Sequence, residues 1–227
     1  MFFDPMYFLF IMPGMLLAMF AQYKVKSTFK KYQQARTSTG LSGAEAARRL
    51  LDFAGLRDVQ VLSIDGFLSD HYDPSRRVLR LSPDVYNGRN LSAIGVACHE
   101  AGHAIQHAKN YFPMYLRSMM VPITQFSSNL SMWIIFAGFF LRPLLYVGIA
   151  FFAVGVVFSI VTLPVEWDAS SRAKNLMVEA GIVSRVEAGD AGSVLNAAFM
   201  TYLASTITAV MTLLYYLFRA GLLGDDD

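Results

Sequence analysis

Four apolar stretches, roughly 5–23, 119–141, 144–163 and 197–218, constrain this chain more than any other feature. Each is near the about 20 residues that a helix needs to cross hydrocarbon. With 55% hydrophobic residues and a mean hydropathy of +0.41, the chain is too apolar for an ordinary soluble domain. Its charged middle equally excludes a pure membrane bundle. The expected fold class is a mainly α membrane protein, with four transmembrane helices and a small cytoplasmic α+β domain. The expected organisation is an N-terminal anchor at 1–23, a cytoplasmic domain at 24–118, two transmembrane helices within 119–163, a cytoplasmic helical segment at 164–196, and a last transmembrane helix with an acidic tail at 197–227.

Charge orients this arrangement. If all four stretches cross, residues 24–118 and 164–196 share one side and hold all but two of the 19 Lys and Arg; Arg142 and Arg219 alone fall opposite. Such a bias marks the first side as cytoplasmic. Both termini, with Asp225, Asp226 and Asp227, are then outside. The first stretch lacks a basic leader and a small-residue cleavage site and follows Asp4, so it reads as a retained anchor. A net charge of +2 is too small to suggest nucleic acid. The single cysteine, Cys98, excludes an intrachain disulfide and suits a reducing compartment; it reads as small helix filler. The weakest span is 119–141, where Gln125, Ser127, Ser128, Asn129 and Ser131 are costly against lipid. They suit interhelical hydrogen bonding or a route for substrate.

In the middle segment, Ser42 and Glu45 form a capping box, after which Ala47, Leu50, Leu51 and Ala54 recur on one helical face until Gly55. Val59–Ile64 and Arg77–Leu81 read as two short strands around the loop Asp65–Arg76, in a hairpin or meander. A sheet edge there could take an extended peptide as an added strand. In the loop, Asp70, His71, Tyr72, Asp73 and Pro74 suit a turn, or place His71 near a metal ligand or a substrate carbonyl.

Residues 95–107 read GVACHEAGHAIQH. Four residues along a helix advance about 6 Å and turn about 400°, so His99 and His103 project from one face toward a common point. Two such imidazoles suit zinc, which in hydrolytic sites takes two or three protein ligands and leaves a position for water. Glu100 stands beside the first, where its carboxylate can take the proton of an attacking water. Two solvated histidines on a surface helix would give the same pattern. Three of the four histidines fall within 99–107, however, and Gly95, Ala97, Ala101, Gly102 and Ala104 let other backbone approach. The helix is too polar to span and should end at Asn110 and Pro113. His107 lies about 12 Å along the axis from His99, too far to share a tetrahedral ion. The third ligand must come from elsewhere.

After the third apolar stretch, TLPVEWDAS at 162–170 places Glu166 and Asp168 at the cytoplasmic end of an apolar helix, around Trp167. Glu166 suits either an interfacial position or a completed site of two histidines and one glutamate. Ser184 with Glu187 reads as another capping box, and Glu179 and Asp190 as surface groups. Tyr202 and Asn196 stand at the cytoplasmic start of the last stretch; Tyr202 reads as an interfacial aromatic.

The stretches SDHYDP (69–74), HEAGHAIQ (99–106), TLPVEWDASSRA (162–173) and VLNAAFMTYLA (194–204) resemble the YugP-like neutral zinc metallopeptidases of bacterial membranes. By layout that family is similar to the HtpX and CAAX prenyl protease group. The resemblance implies one zinc ion on His99, His103 and Glu166, with Glu100 as general base. One departure stands out. The HtpX group places an aspartate four residues after its glutamate ligand, whereas here that position is Ser170 and the aspartate is Asp168. Two residues point about 200° apart on a helix. Either Ser170 supports the site instead, or Asp168 pairs with Arg172 at i+4.

The function these readings imply is a zinc-dependent endopeptidase of the gluzincin type in the bacterial cytoplasmic membrane. Its active site would face the cytoplasm, with a role in membrane protein quality control. Expected partners are a peptide or membrane-protein substrate, the lipid bilayer, and a second copy of the chain or an accessory membrane protein. A non-catalytic zinc scaffold or adaptor is the competing class, but a structural site has no need of a base beside its ligand. A site-2-type intramembrane protease would carry the motif inside an apolar span, and here Gln106, His107 and Lys109 follow it.

Overall fold

A computed structural model of the protein describes residues 5–66, 69–138 and 140–223. Asp4 and the tail Asp225, Asp226 and Asp227 lie outside the described residues, as do Phe67 and Leu68 of the expected loop and Phe139 of the second apolar stretch. The elements run α1 (Pro5–Gln33), α2 (Gly43–Phe53), β1 (Gln60–Ser63), β2 (His71–Asp73), β3 (Val78–Leu81), α3 (Pro83–Asn87), α4 (Leu91–Ala108), α5 (Phe112–Gly138), α6 (Arg142–Glu179) and α7 (Arg185–Arg219). The protein is mainly helical, with one three-stranded sheet.

Among the described residues, α1, α6 and α7 are long and apolar enough to cross a membrane. The fourth expected span lies in α5, which is not among them. Gln125, Ser127, Ser128, Asn129 and Ser131 break its apolar run, and Pro122 sits inside it.

The chain divides into two units. One takes the described parts of Met1–Gln22, Tyr115–Pro164 and Met200–Asp227. Its buried cluster is Ile135, Leu145, Ile149 and Ala220, with Phe152, Leu213, Tyr216 and Leu217 packed against it. Helices approach closely there, since a Cβ on Gly14 would fall 2.9 Å from Thr208 Cα. Close backbone approach through small residues is how helices gain contact where lipid supplies no hydrophobic drive.

The other unit, Tyr23–Met114 with Val165–Phe199, holds the polar half of the sequence. Ser42 caps α2: its side chain accepts from Glu45 N–H, and the Glu45 carboxylate accepts from Ser42 N–H. Gly55, at φ +78°, ends the turn that follows. The alternation of α2 then buries Ala46, Ala47, Leu50 and Leu51 against Leu79, Leu81, Val85 and Ile94.

The sheet corrects the expected hairpin of two strands. β3 is central, in the order β1-β3-β2; β1 pairs with it in parallel (Gln60↔Val78 to Ser63↔Leu81) and β2 antiparallel (His71↔Arg80, Tyr72↔Leu79, Asp73↔Val78). The hairpin is thus β2–β3, formed inside the segment read as loop. Its cause is local. The Asp73 carboxylate accepts from the N–H groups of Ser75 and Arg76 and pairs with Arg80 at 3.0 Å, folding the chain at Pro74. β3 is mostly buried, so it needs pairing on both edges, and β1 takes the free one.

Candidate metal centre

α4 starts at Asn90, whose side chain accepts from Ala93 N–H, and ends beyond Ala108, where Asn110 takes a left-handed conformation at φ +51°. Its buried face includes Ala97, Cys98, Ala101, Gly102, Ala104 and Ile105. Gly102 lies close against α6: a Cβ there would fall 2.7 Å from Ala169 O. This small residue next to His103 is what lets the backbone carrying Glu166 reach the histidines. On α6, Glu166, Ala169, Ser170, Ala173 and Met177 are buried, the spacing of one helical face.

The structure brings His99, His103 and Glu166 together, one donor atom from each lying within 4.8 Å of the others. Glu166 Oε2 is 3.2 Å from His99 Nε2 and 3.7 Å from His103 Nε2. Ligand atoms bound at about 2.0–2.1 Å to a tetrahedral ion stand about 3.3 Å apart, so these separations fit one zinc. The donor set fits as well. Glu166 is only 1% exposed, and a carboxylate withdrawn from water requires cationic company.

The remaining nitrogens are held from outside. His99 Nδ1 lies 3.1 Å from Ser170 Oγ, and His103 Nδ1 lies 3.0 Å from Gln106 Oε1. Supporting partners of this kind orient imidazole ligands in metal sites. Glu166 stands just beyond the apolar run that ends at Leu163. Burial works to raise its pKa, but the His103 and His99 imidazoles beside it prevail and hold the carboxyl below its ordinary range. Burial likewise favours neutral His103, and Glu166 and Glu100 outweigh it, raising the imidazole's pKa. Glu100 is half-buried, and among the described residues no side-chain hydrogen bond engages its carboxylate.

Other sequence candidates fall elsewhere. His107 is exposed and its Nδ1 lies 2.9 Å from the Tyr72 hydroxyl, tying β2 to α4. His71 is exposed and donates from Nδ1 to Ser69 O at 2.7 Å. Asp70 accepts from Ser82 N–H and Oγ–H. Asp168 pairs with Arg172 at 2.5 Å, and Ser170 reaches His99, so both alternatives for the missing aspartate occur together. Burial pushes the Cys98 thiol up to about 12, which leaves it inert. Sequence reasoning passed over Gln106. Its signal was a polar side chain three residues after His103 on a face otherwise apolar.

Residues 7–221 match the family described as "Putative neutral zinc metallopeptidase". The chain belongs to this zinc metallopeptidase family. It is 44% identical over 214 residues to "Putative membrane protease YugP" of Bacillus subtilis (strain 168), covering 93% of this chain and 95% of that protein. No solved structure matches. The resemblance read from four short stretches therefore extends over nearly the whole chain, and the three long apolar helices among the described residues agree with a membrane protein.

Proposed function

We propose that this chain is a membrane endopeptidase that holds one zinc ion on His99, His103 and Glu166 and uses Glu100 as general base at the cytoplasmic face of a bacterial membrane. One observation carries the reading: three donors from α4 and α6 converge in a buried site, and the Glu100 carboxylate, adjacent to the first, is left without a side-chain hydrogen bond among the described residues. When bound there, zinc supplies Lewis-acid chemistry, making water more acidic and polarising a peptide carbonyl. Glu100 takes one proton from the water whose oxygen bonds to the carbonyl carbon, then delivers it to the amide nitrogen as the C–N bond breaks. A carboxylate is suited to both transfers, since it is basic enough to accept and acidic enough to return.

The topology supports four crossings. His103 and Glu166 meet in one unit, so the chain between them crosses the membrane an even number of times. α6 is apolar enough to cross within that interval, so α5 is expected to cross with it. The intervening polar segments hold nearly all of the Lys and Arg, which favours the cytoplasm for the site. Peptides or membrane proteins are the substrates proposed, in keeping with the name of the Bacillus relative and with a role in membrane protein quality control. A second copy or an accessory membrane protein is compatible with this reading. The test is elemental analysis of the purified full chain beside a casein or membrane-protein degradation assay. One zinc per chain is expected, with cleavage lost to a chelator and restored by zinc; cleavage that continues in metal-free protein overturns the proposal.

A further inference from the structure

We infer that Gln106, Asp168 and Arg172 form a positioning relay that fixes the His103 hydrogen on Nδ1 and so commits His103 Nε2 to the metal. The inference rests on the zinc reading above and concerns residues that are not themselves ligands. Gln106 is 0% exposed, so the orientation of its amide is set by its neighbours. Its Nε2 donates to Val165 O at 2.8 Å and to Asp168 Oδ2 at 2.8 Å. A backbone carbonyl and a carboxylate only accept. Turning the amide over would aim Oε1 at both and leave buried acceptors facing one another, a costly arrangement.

The amide is therefore fixed, and Oε1 must be the atom 3.0 Å from His103 Nδ1. An acceptor there requires that Nδ1 carry the hydrogen. In the neutral ring that binds a metal the lone pair then lies on Nε2, the nitrogen 3.7 Å from Glu166 Oε2. Arg172 sets the outer end: its Nε donates to Asp168 Oδ2 at 2.5 Å, and its guanidinium lies 5.7 Å from the centre of the Tyr111 ring. The carboxylate that commonly touches a metal-binding histidine directly is here one residue farther out, with an amide between.

His99 supplies an internal contrast. Its Nδ1 faces the Ser170 hydroxyl, which can turn to donate or accept, so nothing there fixes the tautomer. Loss of the Gln106 amide should consequently cost more zinc affinity than loss of the Ser170 hydroxyl.

The experiment measures zinc affinity by chelator competition, and the absorption spectrum of the cobalt-substituted protein, on the full chain in detergent. Gln106→Leu is expected to weaken zinc binding by about 10–100-fold and to alter the cobalt spectrum, with Ser170→Ala changing both less. If Gln106→Leu does not fold, Asp168→Ala is the measure, with a loss expected in the same direction. Wild-type affinity and an unchanged cobalt spectrum in folded Gln106→Leu, or in Asp168→Ala, overturn the relay alone. A wild-type chain that takes up no zinc overturns the metal centre itself.

Discussion

Glu166 Oε2 lies 3.2 Å from His99 Nε2, although 67 positions separate the two residues in the chain. The contact joins α4 to α6, and it places an acceptor-only carboxylate against two imidazoles in a site from which water is largely excluded. Removing the carboxylate leaves two neutral donors and an open side. Glu166→Ala is expected to lose zinc by more than the about 10–100-fold typical of a change outside the ligand set. Elemental analysis after gel filtration checks this, and stoichiometric zinc in the folded variant would remove Glu166 from the site.

Glu100→Gln separates binding from chemistry. The amide is nearly isosteric and Glu100 is not counted among the converging donors, so zinc content should remain near that of wild type. Proton transfer by a positioned base contributes about 10²–10⁴-fold, and peptide cleavage should fall by at least that range. Single-turnover assays at saturating substrate, run beside zinc analysis of the same sample, decide the matter; a Glu100→Gln protein that cleaves at the wild-type rate would falsify the assignment of the base.

What sequence made legible was whatever depends on spacing within one element. The His99/His103 pair, the capping boxes at Ser42/Glu45 and Ser184/Glu187, and the Asp168–Arg172 pair at i+4 all follow from helical geometry, and all occur. The parallel pairing of β1 with β3 was not legible, because a three-residue strand such as His71–Asp73 has too little periodicity to stand out from a turn. Gln106 escaped for a different reason. Its role depends on Val165 O and Asp168, which reach it only when α6 packs on α4, and helical spacing within α4 contains no record of that meeting.

Gly102→Ala tests that packing. The added Cβ would sit 2.7 Å from Ala169 O, a backbone atom in the middle of α6 that cannot swing aside as a side chain can. Relief requires α6 to move away from α4, and overpacking of this kind costs about 1–3 kcal/mol. The same movement carries Glu166 away from the histidines. Both a lower melting temperature of the metal-free chain and weaker zinc binding are expected. A variant with normal affinity would mean that the helices can separate locally without disturbing the ligands.

Topology gives an independent test. Cys98 is buried, so a cysteine introduced on the surface is the one that an impermeant maleimide should find. If α5 and α6 both cross, Arg142→Cys is labelled from outside intact cells, whereas Lys109→Cys reacts only after the membrane is opened. Both positions are exposed in the fold, so accessibility to the reagent depends on the side of the membrane. Labelling of position 142 only after lysis would mean that α5 turns back without crossing.

Acid stability reports on Glu187. Its carboxylate accepts from the N–H and hydroxyl of Ser38 at 2.6 and 2.8 Å and from Ser184 N–H at 2.7 Å, joining the segment before α2 to the start of α7. Burial works to raise its pKa; the backbone hydrogen bonds from Ser184 and Ser38 overcome it and bring the value to about 2. In the unfolded chain the group titrates near about 4.3. A depressed native pKa contributes stability that is fully present above the unfolded value and is lost as pH falls through the native one. Metal-free protein should therefore lose melting temperature between about pH 4 and pH 2, with part of that slope absent in Glu187→Gln. Working on metal-free protein keeps zinc release from the histidines out of the measurement, and identical slopes for the two proteins would show that the Ser38 and Ser184 hydrogen bonds do not stabilise the ionised group.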